Sequence, residues 1–421
     1  MTEVRPAGQR TPRLSGFAII LIATAAAGIA SYAVTIFVPN RIGLAGYAVF
    51  AVFWSFIYLI VGTLGGIQQE VTRATLRRAG EATIHASRAR TFGIVAGLIV
   101  LTTIVGTAPV WVNTTFPENG WALVWPLAVG ASSYVMVAVL AGSLYGVAAW
   151  VPLALMISVD AILRLVALAV ALAFTTDVVA LAWSVTIPFP VALVVLWPFI
   201  RHTIAGRSQL DVGYRALTWN VARTITAAAA TAVMVSGFPL LLGLTSHSEP
   251  KATVGMYILT ITLTRAPLIV VALSLQSYLI VHFRDNTHDF WRQLLGALGA
   301  VIAGGAALGL AGWFLGPPVY RFLFPNQLQP DAPFITILVG SSALVAALCI
   351  TAPAVLARAQ HFVYTSGWVA AAVVTIAALM LPIDFASRTL YALVGGPVVG
   401  LLVHASYLAA ARLRESRVTT S

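Results

Sequence analysis

Twelve apolar stretches of roughly 20 residues follow one another along this 421-residue chain, joined by connections too short to hold a soluble domain. A helix needs about 20 mostly apolar residues to cross a hydrocarbon core of about 30 Å. The chain is therefore expected to be an all-α polytopic membrane protein, one that moves, senses or modifies something at the bilayer. Composition agrees. Hydrophobic residues make up 60% and charged residues 9%, with a mean hydropathy of +0.93, whereas a soluble domain is about a quarter charged. A net charge of +11 would point to nucleic acid in a soluble protein. Here the arginines gather at the ends of the stretches, as basic residues do on the cytoplasmic side of membranes. The expected partner is thus the lipid bilayer, with no nucleic acid. The single cysteine, Cys349, permits neither an internal disulfide nor a cysteine metal cluster.

The stretches fall near 16–38, 44–67, 92–112, 121–144, 152–174, 177–199, 220–244, 253–281, 293–315, 333–356, 362–381 and 389–411. The first is too long for a secretory h-region of about 7–15 residues and reads as an uncleaved helix. With the N-terminus inside, 17 arginines fall on cytoplasmic segments and only Arg41, Lys251, Arg321 and Arg388 on the other side. That asymmetry places both termini in the cytoplasm. The expected layout is a tail over 1–15, a six-helix bundle over 16–199, a linker over 200–219, a second six-helix bundle over 220–411 and a tail over 412–421. Pro39-Asn40-Arg41 ahead of Gly46-Tyr47 loosely matches Pro250-Lys251 ahead of Gly255-Met256-Tyr257, in keeping with an internal duplication.

Gly62-x-x-x-Gly66, Gly142-x-x-x-Gly146, Gly305-x-x-x-Gly309 and Gly396-x-x-x-Gly400 are expected to let helices approach closely. Pro188, Pro190, Pro239, Pro267, Pro353 and Pro397 are expected inside helices, where each removes a backbone hydrogen bond.

Charges inside the apolar stretches are few, and each is costly in hydrocarbon. Arg41 and Arg223 lie near stretch ends, where they can either snorkel to headgroups or face a cavity. Arg265 sits about twelve residues into its stretch, near the midplane, beyond the reach of snorkelling; it either meets an anionic substrate or has a structural partner. Asp160 and Arg164 are spaced i, i+4 on one face, as a self-neutralising pair or as a carboxylate that couples ion movement. Glu70 and Arg73 form an interfacial pair or sit at a cavity mouth. There is no GxxxxGK[ST] and the one lysine, Lys251, is expected outside, which excludes ATP hydrolysis by this chain. No HExxH or paired acids offer a metal site, so neither metal nor cofactor is expected, and His404 is expected to be a packing residue.

Four segments carry a family resemblance. They are Ile42 to Phe50 with Gly65-Gly66 and Arg73; Leu140 to Gly146 running into Asp160 to Leu165; Val254 to Tyr257 with Thr264 to Pro267; and Pro318 to Phe324 with Leu356 to Gln360. Together they resemble the polysaccharide-export, Wzx-like branch of the multidrug/oligosaccharidyl-lipid/polysaccharide (MOP) flippase superfamily. The resemblance implies about twelve helices in two six-helix bundles around a cavity that opens to each side in turn. It implies Arg265, Arg41 and Arg223 as substrate-binding residues, with a polyprenyl-phosphate-linked glycan or glycolipid as substrate. Glycan polymerases or glycosyltransferases of the same pathway would be partners, in a bacterial cytoplasmic membrane. Lipid II flippases carry two further helices that this chain lacks.

Three other readings are weighed. An ion-coupled multidrug or cation antiporter would need uncompensated acids in its cavity, and the only intramembrane acid is Asp160, beside Arg164. A polyprenyl-dependent glycosyltransferase would need an acid in its first outer loop, where Pro39 to Gly43 has none. A scaffold for an envelope complex would not depend on Arg265.

Overall fold

The computed structural model describes residues 16–75, 88–204, 210–285 and 289–419. The tail 1–15 with Arg5, Arg10 and Arg13 lies outside them, as do Arg77, Arg78 and Arg207. Among the described residues the chain is helical apart from one isolated bridge, Thr75 to Leu210. The helices are α1 (Gly16–Ala74), α2 (Ala89–Thr115), α3 (Trp121–Gly146), α4 (Trp150–Phe174), α5 (Val178–Thr186), α6 (Pro188–Ile204), α7 (Tyr214–Val235), α8 (Phe238–Thr245), α9 (Lys251–Asp285), α10 (Phe290–Leu323), α11 (Ala332–Ala357), α12 (His361–Leu379) and α13 (Phe385–Thr419). Nine helical segments among the described residues are long and apolar enough to cross a membrane, or ten if the bent pair α7 and α8 forms one span. Their outward faces carry exposed apolar side chains such as Val110, Phe174 and Phe322, each more than four-fifths exposed. The chain is thus a multi-pass membrane protein.

Two expected stretches, 16–38 and 44–67, run together as α1. Its 59 residues would extend roughly 90 Å if straight, several times one hydrocarbon thickness. The helix turns at Gly43, where φ is +73° and ψ 168°. That backbone region is open essentially to glycine alone. A first arm (16–42) and a second arm (44–74) result, with Pro39 just before the turn.

The stretch expected at 220–244 is two helices, α7 and α8, bent by 70°. Pro239 lies in the first turn of α8, where its missing N–H leaves nothing unpaired, and not inside a helix as expected. Pro188 likewise opens α6. The α7–α8 break frees backbone groups that must find partners away from water. Ser55, from the second arm of α1, supplies both. Its hydroxyl donates to the Ser236 carbonyl and accepts the Leu240 N–H at 3.0 Å.

Packing between helices repeats in order. In the first half, the second arm of α1 lies on α3, α2 on α3, and α4 on α6. In the second half, α9 lies on α11, α10 on α11, and α12 on α13; α7 meets α12 as α1 meets α4. Three of the four glycine pairs fall at such crossings, and Gly62 with Gly66 lies where α1 meets α7. A Cβ at Gly66 would lie 3.0 Å from the Ile225 nitrogen, and one at Gly142 would lie 2.8 Å from the Gln68 carbonyl. A Cβ at Gly305 would lie 2.5 Å from Ala343, and one at Gly400 would lie 2.9 Å from the Gly367 carbonyl.

The halves are tied together at the end of the molecule that carries Gly43. Lys251 pairs with Glu118, His247 meets the Thr114 carbonyl at 2.8 Å, and Asn40 donates to the Leu323 carbonyl at 2.9 Å. Gln327 donates to the Pro39 carbonyl at 3.3 Å. Helix starts at the same end are capped by Asp177, Asp331 and Asp384. The Ser387 N–H holds the exposed Asp384 carboxyl below its usual range.

Candidate functional site

Between the two halves, where the first arm of α1 faces α9, lies a cavity of about 260 Å³. Ser31 and Thr35 line it from the first arm, Trp54 and Tyr58 from the second, and Arg265 from α9. Trp54 and Tyr58 stack with centroids 5.1 Å apart, forming an aromatic wall. The Tyr32 hydroxyl donates to the Leu263 carbonyl at 2.5 Å, joining the first arm to α9 two residues before Arg265.

Arg265 is 5% exposed. Its Nη2 donates to the Met234 carbonyl at the long distance of 3.4 Å, and its guanidinium lies 5.7 Å from the centre of the Phe238 ring. Met234 ends α7, so its carbonyl belongs to the last turn, where the helix dipole favours a cation. The Nε is buried without a partner, and no carboxylate among the described residues pairs with this arginine. A guanidinium has five donors. Here they are held beside a cavity in low dielectric, a setting that strongly favours an anion.

A second, larger cavity of about 1150 Å³ opens between α1, α7 and α12 toward the end that carries Arg73. It shares Val235 and Ser236, the site of the α7–α8 break, with the inner cavity. Glu70, Arg73 and Arg223 all line it, so the structure brings these three together. Glu70 accepts from Arg73 at 2.7 Å and from the Thr224 hydroxyl at 2.8 Å, linking α1 to α7 at the cavity rim. Arg223 is exposed toward it.

Asp160 and Arg164 lie behind the aromatic wall. Arg164, 7% exposed, donates to Asp160 at 2.6 Å, to the Tyr58 hydroxyl and to the Val185 carbonyl at 3.4 Å. Its guanidinium covers Phe189 at 4.9 Å. The second Asp160 oxygen is buried and unpaired. The pair therefore touches the inner cavity only through Tyr58.

Arg41 is placed elsewhere. Its Nε donates to the Leu172 carbonyl at 3.1 Å, in the last turn of α4, and it lines a groove on the outer face of the molecule, apart from the cavity that Arg265 lines. His404 is fully buried and hydrogen-bonded to Thr351 at 3.0 Å, as a packing residue would be.

Sequence reasoning missed Ser55, Trp54, Tyr58, Ser31 and Thr35. A signal existed in the i, i+4 spacing of Trp54 with Tyr58 and of Ser31 with Thr35, which puts each pair on one helix face. Nothing local marks Ser55, whose role depends on a break about 180 residues away.

Solved structures share this helical architecture. The inward-facing conformation of a multidrug resistance MATE family transporter matches with a TM-score of 0.68 at 15% identity, covering 95% of each chain. The lipid II flippase MurJ, in an inward closed conformation, matches with a TM-score of 0.69 at 11% identity, covering 93% of this chain and 87% of that one. At these identities the likenesses establish the fold alone, the one these two solved structures share.

By sequence the chain belongs to a family that includes uncharacterized mycobacterial proteins. It is 33% identical over 416 residues to the uncharacterized protein Rv3630 of Mycobacterium tuberculosis, covering 97% of this chain and 96% of that protein. It is also 33% identical over 394 residues to the uncharacterized protein Rv1510 of the same species, covering 92% and 90%. To the uncharacterized protein Mb3654 of Mycobacterium bovis it is 34% identical over 393 residues, again covering 92% and 90%. No protein-family profile matches the chain.

Proposed function

We propose that this protein is a twelve-crossing flippase, both termini cytoplasmic, that carries a glycan or glycolipid on a phosphate-bearing lipid from the inner to the outer leaflet of the bacterial cytoplasmic membrane. The observation that carries the reading is Arg265, a buried guanidinium beside a cavity with no carboxylate to neutralise it. Phosphate and pyrophosphate suit such a group, because its forked donors and weakly hydrated charge match their oxygens. Arg223 at the wider cavity would meet the same anion on entry, while Glu70 and Arg73 would hold the rim. A polar glycan cannot pass hydrocarbon unaided, since each unpaired polar group costs several kcal/mol; a polar path between the halves lowers that barrier. The Trp54–Tyr58 wall offers a stacking face for sugar rings.

The ties at the Gly43 end and the wide cavity at the Arg73 end support an inward-open resting state. The two halves would rock about the α1–α7 seam. With no nucleotide motif in the chain, the driving force would be an ion gradient, the membrane potential or the substrate gradient.

One observation favours cation antiport instead: the unpaired Asp160 oxygen behind Tyr58. Mass spectrometry of membrane lipids separates the two readings, after depletion of the protein and rescue with wild type or Arg265→Ala at matched protein level. A flippase predicts that one phosphate-linked glycolipid accumulates and only wild type clears it. Unchanged lipids with greater sensitivity to cationic drugs would replace this reading with the antiporter.

A further inference from the structure

The groove that holds Arg41 is an amphiphile-shaped site separate from the cavities between the halves. It measures about 610 Å³ and runs between the first arm of α1 and α4. Its walls are Val34, Phe37, Leu165, Leu168 and Leu172, and its polar end is formed by Asn40 and Arg41. The Nε bond to the Leu172 carbonyl fixes the base of the Arg41 side chain. Asn40 is committed to the Leu323 and Ile36 carbonyls, and Asp177, just past α4, is occupied by the Val179 and Ala180 N–H groups. The arginine fork therefore stands at the mouth of an apolar trough with no carboxylate among the described residues answering it.

We infer that this groove holds an anionic phospholipid of the surrounding bilayer, its headgroup phosphate on Arg41 and one acyl chain along α4. Two features select that occupant. The charge at the mouth matches a phosphate, which a guanidinium can take through two parallel donors. The depth matches a single leaflet. From Arg41 back to Val34 is about 10 Å, and from Ala173 back to Leu165 about 12 Å, at about 1.5 Å per residue. Half of a hydrocarbon core of about 30 Å is about 15 Å, so the trough spans most of one leaflet from headgroup level downward. A polyprenyl chain many times longer would gain little from so short a trough. The inference does not depend on what the protein transports. Val34 lines both this groove and the inner cavity, so lipid seated here presses on the wall that separates cavity from bilayer.

The test uses the full chain purified in detergent and mixed with phosphatidylglycerol or phosphatidylcholine, with bound lipids counted by native mass spectrometry. Diazirine-tailed phosphatidylglycerol locates the site by crosslinking. The inference expects wild type to retain one more phosphatidylglycerol than Arg41→Ala, with no such difference for phosphatidylcholine. Crosslinks are expected within residues 165–173. Arg41→Ala also removes the bond to Leu172, so Leu168→Trp provides a second variant that fills the trough and leaves the arginine; it too should lose the extra lipid and the crosslink. Equal retention of phosphatidylglycerol by all three proteins would overturn the inference, as would crosslinks confined to other helices. Displacement of phosphatidylglycerol by an equimolar polyprenyl phosphate would overturn the choice of occupant.

Discussion

Three arginines inside the membrane-spanning region share one habit: each donates to a carbonyl in the last turn of a helix. Arg41 meets Leu172 of α4, Arg164 meets Val185 of α5, and Arg265 meets Met234 of α7. Carbonyls there lack intrahelical partners and carry the negative end of the helix dipole. What separates them is the rest of each guanidinium. Arg164 spends its donors on Asp160 and Tyr58, Arg41 lines an outer groove, and Arg265 faces a cavity with its Nε unpaired. A charge-assisted hydrogen bond is worth about 1.5–3 kcal/mol, so Arg265→Ala should weaken substrate binding roughly 10- to 100-fold while Arg265→Lys keeps part of it. Ligand-induced thermal stabilisation of the purified variants checks this. Gly43→Ala forces an alanine into a conformation that costs about 1–3 kcal/mol. A lower melting temperature with substrate affinity unchanged is the expected outcome; an unchanged melting temperature would mean that the turn lies elsewhere. Position along the stretch was enough to single out Arg265 in the sequence. Depth alone could not tell that Arg41 lines an outer groove and Arg223 a cavity, because that depends on the rotation of each helix about its axis.

At the scale of elements, hydropathy located nearly every helix but hid the α7–α8 break. Apolar runs read the same whether a helix is straight or bent, so 220–244 looked continuous although α7 and α8 meet at 70°. Pro239 was visible, but a proline in a first turn and one inside a helix look alike in sequence. The break survives because Ser55 closes its hydrogen bonds. Ser55→Ala leaves the Ser236 carbonyl and the Leu240 N–H without this partner, at a cost of about 1–3 kcal/mol for each buried group. A destabilised protein is expected, with Ser55→Thr milder than Ser55→Ala. Thermal unfolding followed by fluorescence reads both, and equal melting temperatures for wild type and Ser55→Ala would remove the assigned role. The glycine pairs were legible as close-approach sites, and each lies at a crossing. Their partners were not legible, since a spacing names one face and not what packs on it.

For the whole molecule, the proposed alternating access makes the ties at the Gly43 end and the cavity at the Arg73 end one of two states. Lys251 and Glu118 come from different halves and are both substantially exposed, so the pair adds little stability and can part. Cysteines at these two positions, in a chain whose own Cys349 is buried, joined by a reducible bifunctional thiol crosslinker, should stop transport until the link is reduced. Transport that continues in the crosslinked protein would rule out opening at this end. The most direct test of the central claim is translocation by purified protein in liposomes, with a phosphate-linked glycolipid supplied and its appearance on the far leaflet followed. The account predicts movement by wild type without ATP and a loss of at least about tenfold in Arg265→Ala, corresponding to about 1.4 kcal/mol or more. Movement at the wild-type rate in Arg265→Ala, or movement only when ATP is added, would contradict it.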